Sequence, residues 1–486
     1  MREKKKIAMQ MAKAGKSRDP RHEFYVIIYI FLLLLILLMG YMVHYVAFEA
    51  SAAINSSYNT RQQNLEKLVI RGTIFAANGE ILAEQAMNES HNEVRYYPYK
   101  ELFAHAVGFS THGKSGVEKA ANISLLTSNA PVEERLKKEL SGLRNYGDNI
   151  YTSFDVGLQK AASDALGIYR GAAVVLEAKT GRVLAMVSKP DFDPNTVSQN
   201  WAAISAQTDK SPLLNRATQG LYPPGSTFKM LTLLEYMREH PSSYSEFQYK
   251  CSGSFTEDDV TVECYHGSVH GNVDLKAAFE KSCNSAFAYM GSSLDLNTFK
   301  ETSEELLFNK ELPLDLSYNM SKFPITPDAG TEEILHTAIG QGNILATPMH
   351  IAMITAAIAN DGILMCPYEI DKKTNYLGAL LESYSPREYG RVMTQEEAAV
   401  EREYMSDVVI NGTGRGLIND KYTVAGKTGS AEYGTIKGQS HAWFTGFSPA
   451  EKPEVVVTVL MEGAGSGSDY AVPVAKQILD AYYMDR

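Results

Sequence analysis

A single apolar run near the N-terminus constrains this 486-residue chain more than any other feature. Residues 24–48 are 25 consecutive positions without Asp, Glu, Lys or Arg, and the centre of the run, from Ile30 to Leu38, is wholly apolar. About 20 apolar residues are enough for a helix to cross the hydrocarbon core of a bilayer. The sequence therefore predicts one transmembrane anchor over residues 24–48.

The charges before this run predict its orientation. Residues 1–23 contain eight Lys or Arg and three acidic residues, and basic segments stay on the cytoplasmic side. We therefore expect a cytoplasmic basic tail over residues 1–23, a single-pass anchor in the cell membrane, and an extracytoplasmic chain after Phe48. A cleaved signal peptide is the alternative, because Ala50-Ser51-Ala52 is a small-residue site. The apolar run is, however, longer than the roughly 7–15 residues of a signal-peptide core.

The exported part of the chain is acidic. The whole chain has a net charge of −11, which becomes −16 when the basic tail is set aside. This acidity argues against nucleic acid and anionic lipid headgroups as partners, although it does not identify a substrate.

The exported part also contains all the cysteines of the chain, which are Cys251, Cys264, Cys283 and Cys366. A disulfide between Cys251 and Cys264 is the favoured interpretation, because it is permitted outside the cell and would brace the polar segment between them. Free buried thiols are one alternative, and a metal site that adds His266 and His270 is another. Structural zinc sites usually begin with a tight Cys-x2–4-Cys pair, which is missing here, so we expect no metal and no cofactor.

Polarity and secondary-structure patterns divide the exported part of the chain into two regions. Residues 49–147 are polar and broken into short pieces, which predicts a non-catalytic pedestal domain with small strands. Residues 148–486 begin with a helical pattern and two β-rich runs, continue with a helix-rich middle from about 220 to 360, and end with three strand signals and a helix. This order predicts one sheet completed from both ends of the segment, with helices packed on it.

A serine and a lysine lie at the start of a predicted helix. Two prolines and a glycine precede Ser226, and apolar residues then recur with helical spacing. Because Lys229 is three positions further on, the two side chains share one helix face. A neutral lysine can take the proton of a serine nucleophile, and burial or a second cation lowers a lysine pKa. Alone the pair is weak evidence of catalysis, because an N-cap serine followed by a solvated lysine gives the same sequence pattern.

Two further motifs follow in order. Ser282-Cys283-Asn284 comes 56 residues after Ser226, and its hydroxyl could relay a proton while its amide holds the substrate or the lysine. Lys427-Thr428-Gly429-Ser430 comes 201 residues after Ser226, on a predicted strand. Its cation and hydroxyls suit a terminal carboxylate, its glycine allows close approach, and the Ser430 N–H could join that of Ser226 in an oxyanion hole.

A second Lys-Thr-Gly shows how little that triplet means alone. Lys179-Thr180-Gly181 lies before the serine, between the two early strands. Its place between two apolar runs predicts a hairpin turn, and we assign it no catalytic role.

The order Ser-x-x-Lys, Ser-x-Asn, Lys-Thr-Gly-Ser resembles the signature of the penicillin-recognising serine enzymes. From about Ile54 to the C-terminus, the chain is similar to the class B penicillin-binding proteins, especially their short PbpA-like members. Further matching segments are Arg71-Gly72-Thr73-Ile74, Asn215-Arg216-Ala217, His270-Gly271-Asn272-Val273-Asp274-Leu275, Ile339-Gly340-Gln341-Gly342 and His441-Ala442-Trp443-Phe444. The chain departs from the family pattern at Ala76-Ala77, where an Asp-Arg pair is usual, and at Ser430, where Thr is frequent.

This resemblance implies an α+β fold, in which an antiparallel sheet covered by helices and a helical subdomain form the transpeptidase domain over 148–486. It implies a peptidoglycan D,D-transpeptidase that forms an acyl-enzyme on stem peptides ending in D-Ala-D-Ala and is acylated by β-lactams. The catalytic residues would be Ser226 as nucleophile, Lys229 as base, Ser282 as proton relay and Asn284, and the substrate-binding residues would be Lys427, Thr428, Gly429 and Ser430.

The resemblance also implies a SEDS-type glycan polymerase as a partner. Only about 100 residues separate the predicted anchor from the transpeptidase domain, too few for a glycosyltransferase domain. Three alternatives use the same motifs: a D,D-carboxypeptidase with water as acceptor, a β-lactamase or β-lactam sensor, and a scaffold that regulates a polymerase. A lactamase needs neither pedestal nor anchor, and no deacylating base is visible in the sequence.

Overall fold

A computed structural model describes residues 4–6, 9, 20–45, 66–88, 91–433 and 438–484, except for the side chains of 20–23. The chain forms two units, one that contains the N-terminal helix and one that contains the rest of the described chain. The α-helices are α1 (Pro20–His44), α2 (Gly116–Ala120), α3 (Asn122–Leu125), α4 (Val132–Leu140), α5 (Val156–Leu166), α6 (Val197–Ser205), α7 (Lys229–Glu239), α8 (Leu275–Glu280), α9 (Asn284–Ser293), α10 (Leu296–Glu305), α11 (Thr331–Ala338), α12 (Pro348–Ala359), α13 (Gln395–Ile410) and α14 (Val472–Met484).

The strands form one pedestal sheet, one catalytic sheet and several two-stranded pairs. They are β1 (Val69–Ile70), β2 (Ile74–Phe75), β3 (Ile81–Met87), β4 (Glu93–Tyr96), β5 (Asn145–Tyr146), β6 (Asn149–Thr152), β7 (Gly171–Glu177), β8 (Val183–Lys189), β9 (Gln248–Cys251), β10 (Ser254–Glu257), β11 (Val260–Glu263), β12 (Gly271–Asp274), β13 (Ile363–Met365), β14 (Ile370–Thr374), β15 (Leu380–Ser383), β16 (Glu388–Arg391), β17 (Ala425–Glu432), β18 (Ser440–Ser448) and β19 (Val455–Met461).

Helix α1 is the candidate membrane anchor. Its segment Phe24–His44 is 21 residues long, has a mean hydropathy of 2.9 and buries none of its apolar window against protein. A helix with apolar side chains exposed on all sides is compatible with a single-pass membrane anchor. The predicted anchor ends at residue 48, but residues 46–48 lie outside the described part of the chain, as does most of the predicted cytoplasmic tail.

The pedestal sheet is six-stranded, in the order β15-β14-β6-β2-β3-β4, with β2 and β6 parallel. Strands β2 to β4 come from the predicted pedestal, whereas β6 follows residue 147 and β14 and β15 come from far along the chain. Strand β14 joins this sheet by pairing with β6, where Lys373 lies opposite Ile150. The sheet therefore contains strands from both sides of the predicted boundary between residues 147 and 148, because β6, β14 and β15 come from the C-terminal side.

A buried ion pair network fixes the pedestal. Arg71 Nε donates to Glu118 Oε2 at 2.7 Å, and Arg95 Nε donates to Glu118 Oε1 at 2.6 Å. Burial alone would raise the pKa of Glu118, but the two guanidinium groups hold it below its ordinary value. Arg71 belongs to the Arg-Gly-Thr-Ile segment that carries the family resemblance, and its role here is structural.

The catalytic sheet is five-stranded and antiparallel, in the order β17-β18-β19-β7-β8. Strands β7 and β8 come from the start of the domain and β17 to β19 from its end, which confirms the prediction of one sheet completed from both ends. Successive β7 residues point to opposite faces, so Ala172, Val174 and Leu176 enter one apolar cluster. Ala173 and Val175 enter the other. Both faces are buried, which explains why the strand reads as a continuous apolar run.

Helices cover both faces of this sheet. Helices α5 and α14 pack on one face, where Leu158 and Ile478 are buried. On the other face, α7 and α12 pack together with the helical subdomain, and α7 is buried along nearly its whole length. Because β17 is the edge strand, one of its backbone edges stays free to face the cleft beside the start of α7.

Candidate active site

Ser226 lies in a short 3-10 segment, Gly225–Phe228, that leads directly into α7. The predicted helix start is thus correct in position, but its first turn is the tighter 3-10 form. Gly225 has φ +54°, and a Cβ there would lie 3.1 Å from the carbonyl oxygen of Ser430. The glycine therefore lets the nucleophile turn approach β17 closely. Trp443 Nε1 also donates to the carbonyl oxygen of Pro223 at 3.0 Å and ties the turn to β18.

Lys229 is the first residue of α7 and is completely buried. Its Nζ donates to Asn284 Oδ1 at 2.7 Å, to the carbonyl oxygen of Ser282 at 2.8 Å and to Ser282 Oγ at 3.3 Å. Among the described residues, no hydrogen bond joins Ser226 Oγ to Lys229 Nζ. Burial lowers the pKa of Lys229 to about 8. A lysine with that pKa is partly neutral near physiological pH and can accept a proton.

Ser282 lies in a turn between two helices. It has φ +54° and follows α8, and the next N–H, that of Cys283, donates to the carbonyl oxygen of Ala278 at 2.8 Å. This is the hydrogen bond of a helix that ends on a left-handed residue, and it brings the chain directly into α9. A serine held in this sparsely populated conformation depends on its surroundings to keep it there.

Lys427 lies between the motifs rather than on the cleft wall. Its Nζ donates to Ser282 Oγ at 2.9 Å, and its side chain is completely buried. Burial first, and then the charge of Lys229, hold the pKa of Lys427 well below its ordinary value. The Nζ lies on the Ser282 hydroxyl, and Lys427 is not among the residues that line the cleft, so its role in binding a terminal carboxylate stays a prediction.

The rest of the Lys-Thr-Gly-Ser motif does line the cleft. Ser226, Ser282, Asn284, Thr428, Gly429 and Ser430 all border one cavity of about 230 Å³. A Cβ at Gly429 would lie 3.1 Å from the carbonyl oxygen of Pro224, so the glycine permits the close contact between β17 and the nucleophile turn. A larger neighbouring cavity of about 980 Å³ shares Asn284 and Ser430 and continues past Glu432 and His336.

Several cleft residues escaped sequence reasoning. Thr413 Oγ1 lies 2.5 Å from Thr428 Oγ1, and the N–H of Gly467 donates to Ser430 Oγ at 3.1 Å. Gln341 reaches the same strand edge, where its side-chain amide can accept from the N–H of Glu432 and donate to the carbonyl oxygen of the same residue. Of these only Gln341 belonged to a recognised segment, Ile339-Gly340-Gln341-Gly342. Thr413 lies in a turn, and Gly467 begins the π-helical segment Gly467–Ala471 that leads into α14.

The second Lys-Thr-Gly, which begins at Lys179, lies in a turn. Residues 178–180 form the turn between β7 and β8, Lys179 is exposed, and Thr180 Oγ1 donates to Glu177 Oε2. The prediction of a hairpin turn is confirmed.

The cysteines do not form the disulfide that the sequence favoured. Cys251, Cys264, Cys283 and Cys366 are all free and buried, and the Cys251 and Cys264 sulfurs lie 3.7 Å apart. The proposed bridge is therefore not formed in this structure. Cys283 and His270 join the pair, and the four possible ligand atoms lie within 4.8 Å of one another. The spacing argument against a metal missed Cys283, because that residue comes from the catalytic turn, and His266 is not part of the cluster.

The antiparallel sheet, the buried helix behind Ser226 and the three converging motifs define a serine enzyme of the penicillin-recognising class. Residues 171–480 match the penicillin binding protein transpeptidase domain, and residues 71–150 match the penicillin binding protein A dimerisation domain. The chain belongs to the penicillin-binding protein transpeptidase family, as the resemblance predicted.

Relatives extend along most of the chain. Peptidoglycan D,D-transpeptidase PbpA of Mycolicibacterium smegmatis is 31% identical over 437 residues, which cover 85% of this chain and 88% of that protein. The ceftriaxone acyl-enzyme complex of penicillin-binding protein A from M. tuberculosis has a TM-score of 0.79 at 29% identity and covers 86% of this chain and 99% of that one. The D,D-transpeptidase domain of a peptidoglycan glycosyltransferase from Eggerthella lenta has a TM-score of 0.78 at 30% identity, with the same coverage.

Proposed function

We propose that this chain is a peptidoglycan D,D-transpeptidase that cross-links stem peptides through an acyl-enzyme on Ser226. The observation that carries the proposal is the meeting of Ser226, the Lys229–Ser282–Asn284 contacts and the edge of β17 around one cleft. Family membership supports the reaction, because relatives with this fold carry the name D,D-transpeptidase and one is a β-lactam acyl-enzyme.

The first step is attack by Ser226 Oγ on the carbonyl of the penultimate D-Ala. The new bond joins Oγ to that carbonyl carbon, and the serine proton passes to neutral Lys229. Burial supplies the neutral base, and Asn284 and Ser282 hold its Nζ in place. We assign the binding of the oxyanion to the backbone N–H groups of Ser226 and Ser430. Removal of one such donor typically costs about 3–4 kcal/mol of transition-state stabilisation.

The leaving D-Ala needs a proton when its C–N bond breaks. Ser282 Oγ lies within hydrogen-bond distance of both lysines, 3.3 Å from Lys229 Nζ and 2.9 Å from Lys427 Nζ. A proton taken by Lys229 can therefore pass through Ser282 to the leaving amine. Lys427 acts on this relay through its hydrogen bond, since its Nζ donates to the Ser282 hydroxyl.

The terminal carboxylate of the substrate is bound by the residues of the strand motif that line the cleft. Thr428 and Ser430 present hydroxyls to the cleft, and Gly429 leaves the strand edge open. Thr413 and the N–H of Gly467 orient these hydroxyls through their hydrogen bonds. Lys427 is the remaining substrate-binding residue of the motif, and its Nζ lies on the Ser282 hydroxyl behind them.

An amine acceptor distinguishes a transpeptidase from a carboxypeptidase, which uses water. The neighbouring cavity of about 980 Å³ opens beside Asn284 and Ser430 and is large enough for a second peptide strand. Two acidic residues, Glu263 and Glu432, line it and suit an acceptor that carries an amino group. This space favours cross-linking over hydrolysis.

The test is a reconstituted reaction with lipid-linked pentapeptide and a cognate glycan polymerase. We expect cross-linked muropeptides together with one free D-Ala per cross-link, and neither product with Ser226→Ala. Free D-Ala without cross-links would identify a carboxypeptidase. Glycan strands that depend on this chain, with neither cross-links nor free D-Ala in the wild type, would identify a scaffold.

The same proposal extends to topology and partner. The basic residues before α1 favour a cytoplasmic N-terminus and an extracytoplasmic catalytic domain. Protease added to intact spheroplasts should then cleave the catalytic domain, and survival of that domain would reverse the orientation. Because the chain has no room for a glycosyltransferase domain between anchor and transpeptidase domain, we propose a SEDS-type polymerase as partner, testable by co-purification from membranes.

A further inference from the structure

Lys281 borders the active-site cavity of about 230 Å³. Of the described residues that line this cavity, it is the one lysine or arginine, and none of them is acidic. Its side chain is exposed and forms no hydrogen bond or ion pair with any described residue, not even with the neighbouring Glu280. A lysine carries its charge on a flexible stem with three rotatable N–H donors. The Lys281 ammonium group is therefore available to an anionic ligand in the cleft.

The end of α8 fixes the backbone at Lys281. This residue is the C-cap of α8, and its N–H donates to the carbonyl oxygen of Ala277 at 3.0 Å. Ser282 follows in the left-handed conformation, with φ +54°, and turns the chain into α9. The base of the Lys281 side chain is thus held beside the Ser282 hydroxyl by a regular helix end.

A loop of the carboxylate-binding wall packs against the same helix end. A Cβ at Gly412 would lie 2.4 Å from the carbonyl oxygen of Glu280, so the glycine permits this close contact. The next residue, Thr413, lines the cavity, and its Oγ1 lies 2.5 Å from that of Thr428. Because Thr428 is assigned to the terminal carboxylate under the proposed function, Lys281 lies on the side of the cleft where that carboxylate binds.

The lysine of the strand motif does not supply a charge at the cleft surface. Lys427 is completely buried, is not among the residues that line the cavity, and donates to Ser282 Oγ. Burial holds the pKa of Lys427 well below its ordinary value, which favours its neutral form. A carboxylate bound by the Thr428 and Ser430 hydroxyls therefore still lacks a full opposite charge beside it.

The two neighbouring cavities differ in the sign of their charges. The cavity of about 980 Å³ is lined by Glu263 and Glu432 and, among the described residues, by no lysine or arginine. The smaller cavity has Lys281 and no acid. A donor peptide ends in a carboxylate, whereas an acceptor brings an amino group. Since the exported part of the chain is acidic as a whole, a local cation is needed to attract an anionic donor.

We propose that Lys281 is a substrate-binding residue that attracts the terminal carboxylate of the donor, whether a stem peptide or a β-lactam, and pairs with it. This role rests on the proposed function, because it needs a donor that acylates Ser226. Thr428 and Ser430 bind the carboxylate by hydrogen bonds, and Lys281 adds the opposite charge from the rim of the cleft. It acts on the capture of the donor and leaves the chemical step to Ser226 and Lys229.

Charge variants of the full-length protein in detergent test this role. The measured quantity is the second-order rate constant for acylation of Ser226 by benzylpenicillin, at an ionic strength of about 0.1 M. Lys281→Gln should lower it about fivefold, the upper range for an exposed ion pair. Lys281→Glu should lower it about 25-fold, because the change in charge is twice as large. Lys281→Arg, which keeps the charge, should stay within about twofold of the wild type.

Lys179→Gln is the matched control, because it removes the same charge from the turn between β7 and β8, outside the cavity lining. Its rate constant should also stay within about twofold of the wild type.

Salt and saturation separate an effect of charge from an effect of structure. Raising the ionic strength from about 0.1 M to about 1 M shortens the screening length from about 10 Å to about 3 Å. The wild-type rate constant should then fall to within about twofold of that of Lys281→Gln, which itself should hardly change. At saturating penicillin the maximal acylation rates of the two should agree within about twofold, so that the loss lies in the concentration for half-saturation.

Equal rate constants for the wild type and Lys281→Gln would overturn the role of Lys281 and leave the proposed function standing. A loss that Lys281→Arg shares, that salt does not reduce, or that lies in the maximal rate would also overturn it, since each reports a damaged turn rather than a missing charge. An equal loss in Lys179→Gln would show an effect of net charge instead. Wild-type protein that benzylpenicillin never acylates at Ser226 would refute the proposed function itself, and the role of Lys281 with it.

Discussion

The pH dependence of acylation follows directly from the burial of Lys229. Burial lowers the pKa of this lysine from 10.5 to about 8, a difference of about 3 kcal/mol between its charged and neutral forms. The folded pKa lies below the unfolded one, so the neutral base becomes more abundant as pH rises through 8. With a pKa of about 8, the neutral fraction grows from about 1% at pH 6 to about half at pH 8.

We therefore expect the second-order rate of acylation by penicillin to rise about 50-fold between pH 6 and pH 8 and then to level off. The measurement uses a penicillin with a dye whose emission does not change with pH, quenched at timed intervals and read on denaturing gels. Lys229→Arg is the matched control, because arginine keeps the cation but does not deprotonate. Its labelling should fall about 100-fold or more and lose its pH dependence.

A rate that changes less than threefold across this range would refute the reasoning. So would a midpoint near 6.5, the ordinary pKa of histidine, which would point to an imidazole as the base. A wild-type profile retained by Lys229→Arg would show that this lysine does not accept the serine proton.

Three further changes test other contacts of the fold. Lys427→Ala should lower acylation about 100-fold because it removes the hydrogen-bond donor to the Ser282 hydroxyl of the proton relay, whereas Lys179→Ala should label normally; the reverse order would mean that the wrong Lys-Thr-Gly was chosen. Arg71→Met should lower the free energy of unfolding by about 3–5 kcal/mol in urea titrations, because Glu118 stays buried with one partner fewer, and a loss below about 1 kcal/mol would contradict the buried network. Gly340→Ala should slow acylation roughly tenfold or more, because at φ +76° its Cβ would lie 2.0 Å from the carbonyl oxygen of the residue before the nucleophile, and wild-type kinetics would show that the turn can relax.

Local patterns were sufficient for much of the fold. The apolar strands β7, β18 and β19 were recognisable because both faces of the sheet are buried, and the helix that follows Ser226 was recognisable from its apolar spacing. Boundaries were less accurate. The helix was predicted to start near Ser226, but that residue lies in a 3-10 segment and the α-helix begins at Lys229.

Contacts between distant segments were the part that sequence could not supply. The hydrogen bond from Lys427 Nζ to Ser282 Oγ joins residues 145 positions apart, and no sequence pattern predicted it. The same limit hid the cysteine cluster. Cys283 was predicted only as the middle residue of the Ser282-Cys283-Asn284 motif, and the fold brings it beside Cys264. The pairing of β14 with β6 across more than 200 residues was equally invisible.

The central claim is that Ser226 is the nucleophile of a penicillin-sensitive acyl-enzyme. Full-length protein incubated with a β-lactam should gain the mass of one intact drug molecule, and peptide mapping should place that mass on the peptide that contains Ser226. The Ser226→Ala variant should fold with an unchanged circular dichroism spectrum and gain no mass. An adduct on another residue, or labelling that survives Ser226→Ala, would contradict the assignment of the active site.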